Sequence, residues 1–342
     1  VNLLLMLAHS IAEYDDVRMF SDAGYDVFSI GAYADPVHPG DDKRPPLPDA
    51  PRHPELAALV PDQMRAKEYL PDDLIDWADV IICHHYLREW VMPQWGRIKH
   101  KRVVWRTCGQ SDFALEDEMK RLRREGLVIV RYSPAEGWFF RESGHWAGCD
   151  ATIRFGKYPT DYRPWVGDGI WVGNVTQNMA GRGEWVGRSY WERATADLPT
   201  RMAGPGSEQM GGCGTLPYEE LLRYLRRTRV YLYTGTHPAP YTLGLIEALM
   251  SGTPVVSIGR HDWMGPDALF EADKIAPIAA LSPEDAARHL RGLLGDEALA
   301  RYVGQEGRDR ALELFDVATV TEDWVRLLGG VPSPDTAVGM LA

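Results

Sequence analysis

The chain has 342 residues, 45% hydrophobic and 25% charged, the balance of a soluble globular protein rather than a disordered or fibrous one. Its length fits two domains, each burying its own core. Lys and Arg number 37 against 49 Asp and Glu, and the formal charge of −12 excludes a general attraction to nucleic acid or to an anionic membrane, so a polyanionic partner would need a local basic patch.

The opening VNLLLMLAHS is apolar but lacks a basic leader and is far shorter than the about 20 residues a membrane span needs, so it reads as a first buried strand. No other segment reaches spanning length. Further strands are expected at Asp26 to Ile30, Asp79 to Cys83, Arg102 to Thr107, Leu127 to Tyr132 and Thr152 to Phe155. Helical patterns lie between them at Asp15 to Ala23, Ala114 to Glu125 and Ala135 to Glu142. This alternation predicts right-handed βαβ units and a parallel sheet. The stretch from Ala34 to Pro54, with seven prolines, reads as a long loop over it.

After a polar join near residues 156 to 168 the pattern restarts. Strands are expected at Gly169 to Val175, Arg201 to Ala203, Val230 to Tyr233 and Pro254 to Ile258, with helices at Glu184 to Ala196, Tyr218 to Arg227 and Leu243 to Ser251. Three more helices follow at Pro283 to Gly295, Ala298 to Leu314 and Val317 to Leu328, with Asp316 in N-cap position for the last. The fold class is thus α/β with two doubly wound domains, whose ligands belong in strand-to-helix loops. Cys83, Cys108, Cys149 and Cys213 have neither zinc-site spacing nor disulfide density, which points to reduced thiols and a cytoplasmic location.

The most informative segment is VYLYTGTHPAPYTLGLIEALMSGTPVVSIG, residues 230 to 259. A buried strand enters a loop and then a helix starting near Thr242, whose free N–H groups and partial positive charge suit a diphosphate. Glu247 lies inside that helix between apolar neighbours. A ribose diol would satisfy its carboxylate, and an ordinary N-terminal-turn glutamate is the competing reading.

PYTLGLIEALMSGTPVV resembles the nucleotide-sugar motif of the GT-B glycosyltransferases of family 4, two glutamates separated by seven residues and followed by a small-residue, Gly-Pro-Val pattern. Glu247 matches the second glutamate, which in that family holds the ribose; Ala239 stands where the first belongs, so the usual contact to the donor sugar is missing. IWVGNVTQNMAGRG is similar to the first strand and loop of the nucleotide domain. There Arg182, before Gly183, matches a diphosphate-binding Lys, and Asn174 stands in place of an Arg. AGPGSE, with Gly204 and Gly206, resembles the glycine-rich loop after the second strand, and Gly214, Thr215 and Leu216 would frame the base. FDVATVTEDWVRLL resembles the last helix, which crosses back to the first domain.

The resemblance implies an acceptor domain over residues 1–165, a nucleotide-sugar domain over 166–314 and a returning helix and tail over 315–342, with a cleft between the domains. It further implies a retaining, metal-independent hexosyltransferase using a nucleoside-diphosphate sugar, a UDP-sugar being favoured, and no other cofactor. Arg182 and Glu247 would carry catalysis, with Tyr241, Thr242 and Leu243 presenting the helix start to the diphosphate. His9, Ser10, His84, His85 and Gln110 are the cleft candidates on the acceptor side, each at a strand's carboxyl end. The acceptor is a hydroxyl of a glycan or lipid, or of a hydroxymethylated pyrimidine in DNA. Of two basic clusters, KRLRR at 120–124 reads as a solvated helix face, and RIKHKR at 97–102 is open to a phosphate-tracking role. Ala239 and Asn174 leave an inactive nucleotide-sugar-binding protein as an alternative, and a nucleotide-sugar epimerase is another.

Overall fold

A computed structural model of the chain describes residues 1–31, 44, 45, 47, 53–108, 112–259 and 270–329. It divides into two compact units, one made of residues up to Lys157 with those from Val317 onward, the other spanning Tyr158–Asp316.

The first unit is a parallel sheet in the order β2-β1-β3-β4-β5-β6, from β1 (Asn2–Met6), β2 (Asp26–Ser29), β3 (Val80–His84), β4 (Arg102–Arg106), β5 (Val128–Arg131) and β6 (Ala151–Thr152). Strands β1 and β3 are near-continuous apolar runs because both faces of a parallel sheet are covered. Helix α1 (Ser10–Asp22) packs on β2, α2 (Phe113–Arg124) follows β4, and α3 (Glu136–Glu142) follows β5. Asp112 caps α2 by accepting the Leu115 N–H at 2.7 Å, and arginines fill its last turn, as the helix dipole favours.

The second unit is a parallel sheet in the order β11-β10-β9-β7-β8, from β7 (Gly169–Val175), β8 (Thr200–Ala203), β9 (Thr228–Tyr233), β10 (Val255–Ile258) and β11 (Ile278–Ala280). Its helices are α4 (Arg188–Ala194), α5 (Tyr218–Arg227), α6 (Leu243–Met250), α7 (Pro283–Gly295) and α8 (Glu297–Phe315). Helix α9 (Val317–Leu328) returns to the first unit: the Val317 N–H donates to the Lys157 carbonyl at 2.9 Å, and buried Trp324 meets Phe20 of α1 edge-on at 5.2 Å.

Several expectations are corrected. Helix α1 starts at Ser10, not Asp15. The expected strand at 152–155 shrinks to Ala151–Thr152, because the Arg154 carbonyl is taken by the Arg106 guanidinium at 2.6 Å instead of a neighbouring strand. The expected helix at 184–196 breaks at Gly187, whose left-handed φ of 68° separates a 3-10 turn, Gly183–Val186, from α4. Strand β11 and short helices within 54–98 carry too few residues to show a period. The proline-rich stretch at 34–54 lies mostly outside the described residues.

The open reading of residues 97–102 closes structurally. Arg97 pairs with Asp72, Lys99 with Glu125 at 3.4 Å, Lys101 donates to the Asp76 carbonyl, and Arg102 binds the last carbonyls of α9. In the second cluster Lys120 pairs with Asp117, Arg121 with Glu125 and Arg123 with Asp150.

Candidate active site

In the second unit the strand order reverses between β7 and β9, the switch point where doubly wound sheets bind ligands. Three loops leave the strand ends there. After β7, the Thr176 N–H donates to the Ala203 carbonyl at 3.2 Å and the Asn178 N–H to the Pro205 carbonyl at 2.6 Å, tying this loop to the one after β8. Asn178 then caps the single helical turn Met179–Arg182 by accepting the Gly181 N–H at 3.1 Å. The turn delivers Arg182 half-buried, its guanidinium without a hydrogen bond or ion pair among the described residues, and burial lowers its pKa. A partly dehydrated cation without a carboxylate is matched to an incoming anion.

The loop after β8 folds back on itself. The Gly204 N–H donates to the Gly214 carbonyl at 2.8 Å, and the Gly214 N–H donates to the hydroxyl of buried Ser207 at 2.9 Å. Gly204 has φ of 111°, and a Cβ there would lie 2.7 Å from the Thr176 carbonyl oxygen, so no side chain fits. Gly206 packs beside Asn178, and Leu216 follows half-buried before α5.

The loop after β9 leads into α6. Tyr241 is buried, its ring 5.4 Å from that of Phe315. Thr242 is the N-cap residue but makes no side-chain cap, and both the Leu245 and Ile246 N–H groups turn to its carbonyl, at 3.2 and 3.4 Å. Among the described residues, the N–H groups of Leu243 and Gly244 have no hydrogen-bond partner. The helix start sits against the end of β7, with the Cα of Gly244 facing the Val175 carbonyl oxygen. The Tyr231 hydroxyl accepts the Val175 N–H at 2.9 Å beside it. Glu247 is 2% exposed, one turn into α6, and its charge adds to the burial that pushes the Tyr231 phenol upward. Two bare N–H groups and a buried carboxylate on α6, and an arginine after β7, thus lie on segments that leave the strands at one switch point. Asn174 is 1% exposed within β7, and its amide donates across the sheet to the Leu232 carbonyl at 2.8 Å.

In the first unit the order reverses between β1 and β3. His9 is the exposed N-cap of α1, Ser10 its first residue, and His85 follows β3 with a left-handed φ of 72°; the His9 and His85 rings are 6.1 Å apart. His84 instead turns inward, fully buried, with Nε2 3.3 Å from an Asp16 carboxylate oxygen; burial, then the Arg106 charge, holds its pKa well below the usual histidine range. Gln110 lies outside the described residues.

Sequence reasoning missed the buried charges behind these histidines. Arg106 donates to both Asp16 oxygens, at 3.1 and 2.9 Å, and Lys157 binds Asp15 at 2.6 Å. Burial raises the Asp16 pKa while Arg106 opposes it. The signal was present in Glu13, Asp15 and Asp16 of α1, acids too close together to lie on one solvated face. At the end of β5, buried Glu136 accepts from the Thr107 hydroxyl at 2.8 Å and the Tyr132 N–H at 2.9 Å through one oxygen, while the other has no hydrogen bond. Burial pushes its pKa up to about 7. Among the described residues, no group of three or more His, Cys, Asp or Glu is arranged to hold a metal ion, and no helix is long and apolar enough to cross a membrane.

Residues 182–326 match the family described as glycosyl transferase-like. No curated protein sequence matches the chain. Among solved structures, HepE of Anabaena in complex with UDP-glucose is similar with a TM-score of 0.63 at 13% identity, covering 96% of this chain and 100% of that one. A glycosyltransferase of Rickettsia africae reaches 0.60 at 11% identity, covering 95% and 97%. An alpha-glucosyltransferase in complex with UDP and a 13-mer DNA containing an HMU base reaches 0.61 at 11% identity, covering 96% and 99%. The chain thus has the two-domain GT-B fold of these glycosyltransferases over nearly its whole length, and its residues 182–326 match a glycosyl transferase-like family.

Proposed function

We propose that the protein transfers a hexosyl group from a UDP-sugar to a hydroxyl acceptor, with retention at the anomeric carbon and without a metal ion. The observation that carries this reading is Arg182, without an ion pair among the described residues, on the same set of switch-point loops as the bare N-terminus of α6. Both are aimed at negative charge, and the departing diphosphate is where charge grows as the sugar becomes oxocarbenium-like. Groups fixed beforehand stabilise that charge without reorganising, the largest single term in many enzymes. Glu247 is placed to accept from the ribose hydroxyls. The acceptor hydroxyl forms its new bond to the anomeric carbon as the bond to the diphosphate oxygen breaks, and its proton passes to that leaving oxygen.

A glycan or lipid hydroxyl is the acceptor that the charge distribution favours, because most side chains of both basic clusters are paired within the first unit. The second reading, a hydroxymethylated pyrimidine in DNA, draws support from the DNA-bound alpha-glucosyltransferase among the similar structures. The test is nucleoside-diphosphate release from a panel of sugar nucleotides, with EDTA throughout, each with and without hydroxymethylated DNA. Release that needs the DNA selects the second acceptor. Release that ignores DNA keeps the first, and binding without turnover makes the chain an inactive relative.

A further inference from the structure

The loop from Thr234 to Tyr241 contains no acidic side chain, so with the diphosphate at the start of α6 it offers no carboxylate to the sugar hydroxyls. It is locked instead onto a large exposed aromatic. Trp185 stands three residues beyond Arg182 on the turn Gly183–Val186 and is 57% exposed. Its carbonyl accepts the His237 N–H at 2.7 Å, and the two rings meet edge-on with centroids 5.3 Å apart. Gly187, just after the turn, packs so closely on Thr234 that a Cβ would lie 3.0 Å from its carbonyl oxygen. The turn that carries the indole is thus anchored by backbone contacts at the junction of the two segments proposed to bind the diphosphate, the ring rests against His237, and most of the tryptophan's surface is left in solvent. An isolated exposed tryptophan needs no such anchoring.

The geometry points to Trp185, backed by His237, as the platform for the apolar C–H face of the donor sugar, taking the place of a carboxylate at position 239. The inference rests on the nucleotide-sugar reading above. A pyranose presents weakly positive C–H groups on one face, and the face of an indole is negative, so stacking supplies orientation where no acid is available. The His237 ring, at 71° to the indole, leaves more than half of the tryptophan's surface in solvent.

The test is calorimetric titration of UDP, and of the tightest binder among UDP-glucose, UDP-galactose and UDP-N-acetylglucosamine, into the full chain and into Trp185→Ala and Trp185→Phe. The alanine variant is expected to weaken the sugar nucleotide about five- to tenfold while UDP stays within about twofold, and phenylalanine should recover most of the loss. Equal weakening of both ligands, or of neither, would overturn the platform while leaving the nucleotide site intact. A wild-type chain that binds neither ligand would overturn the nucleotide-sugar reading itself, and the platform with it.

Discussion

A half-buried arginine without an acidic partner is costly unless an anion completes it, and among the described residues the Asn178-capped turn holds Arg182 in that condition. Arg182→Ala is expected to lower turnover about 100-fold with the far-ultraviolet circular dichroism unchanged. Arg182→Lys should recover only part of it, since a lysine cannot offer the paired donors of a guanidinium. Glu247→Gln preserves shape and removes charge, so the KM for the sugar nucleotide should rise about tenfold with little change in thermal stability; a fall in stability at constant KM would make Glu247 purely structural. Glu136 acts on stability through pH. Its carboxyl rises from an ordinary 4.5 to about 7 on folding, so between these values the folded state holds a proton that the unfolded chain has lost. Its contribution is complete below pH 4.5 and is lost as pH climbs towards 7, on the order of 3 kcal/mol. Denaturant unfolding of Glu136→Gln across that range should show a flatter dependence on pH than the wild type.

Among the elements, the proposed donor site is made of three strand-end loops joined by backbone hydrogen bonds, and Gly204 is a condition for their closeness. Gly204→Ala should cost about 2 kcal/mol, seen as a drop of several degrees in melting temperature, because the added methyl meets the Thr176 carbonyl and the backbone is left-handed. Much of this unit was legible in the sequence: β7, β9 and α6 announced themselves by continuous apolar runs bounded by glycine and proline, whereas Glu247 and Arg182 were singled out by the family resemblance. What stayed hidden depends on contacts distant along the chain. Nothing local says that Asn174 donates across the sheet to Leu232, or that His84 turns inward to Asp16 while its neighbour His85 stays near His9. The break at Gly187 was equally silent, since a glycine inside a helical pattern signals its left-handed turn only once Thr234 is packed against it.

Over the whole molecule, charge is handled by internal pairing. The formal −12 coexists with buried cations on α1's carboxylates and with basic segments most of whose side chains are paired, while Arg182 is half-buried without an ion pair among the described residues. Each unit reverses its strand order once and gathers its candidate residues there, the donor groups in the second and the histidines in the first. The central claim is that Arg182 and the start of α6 form a diphosphate site. It is tested most directly by calorimetric titration of UDP into the wild type and Arg182→Ala. The account expects saturable binding to the wild type, weakened at least about tenfold in the variant. Equal affinity in the two proteins, or no binding to the wild type, would contradict it.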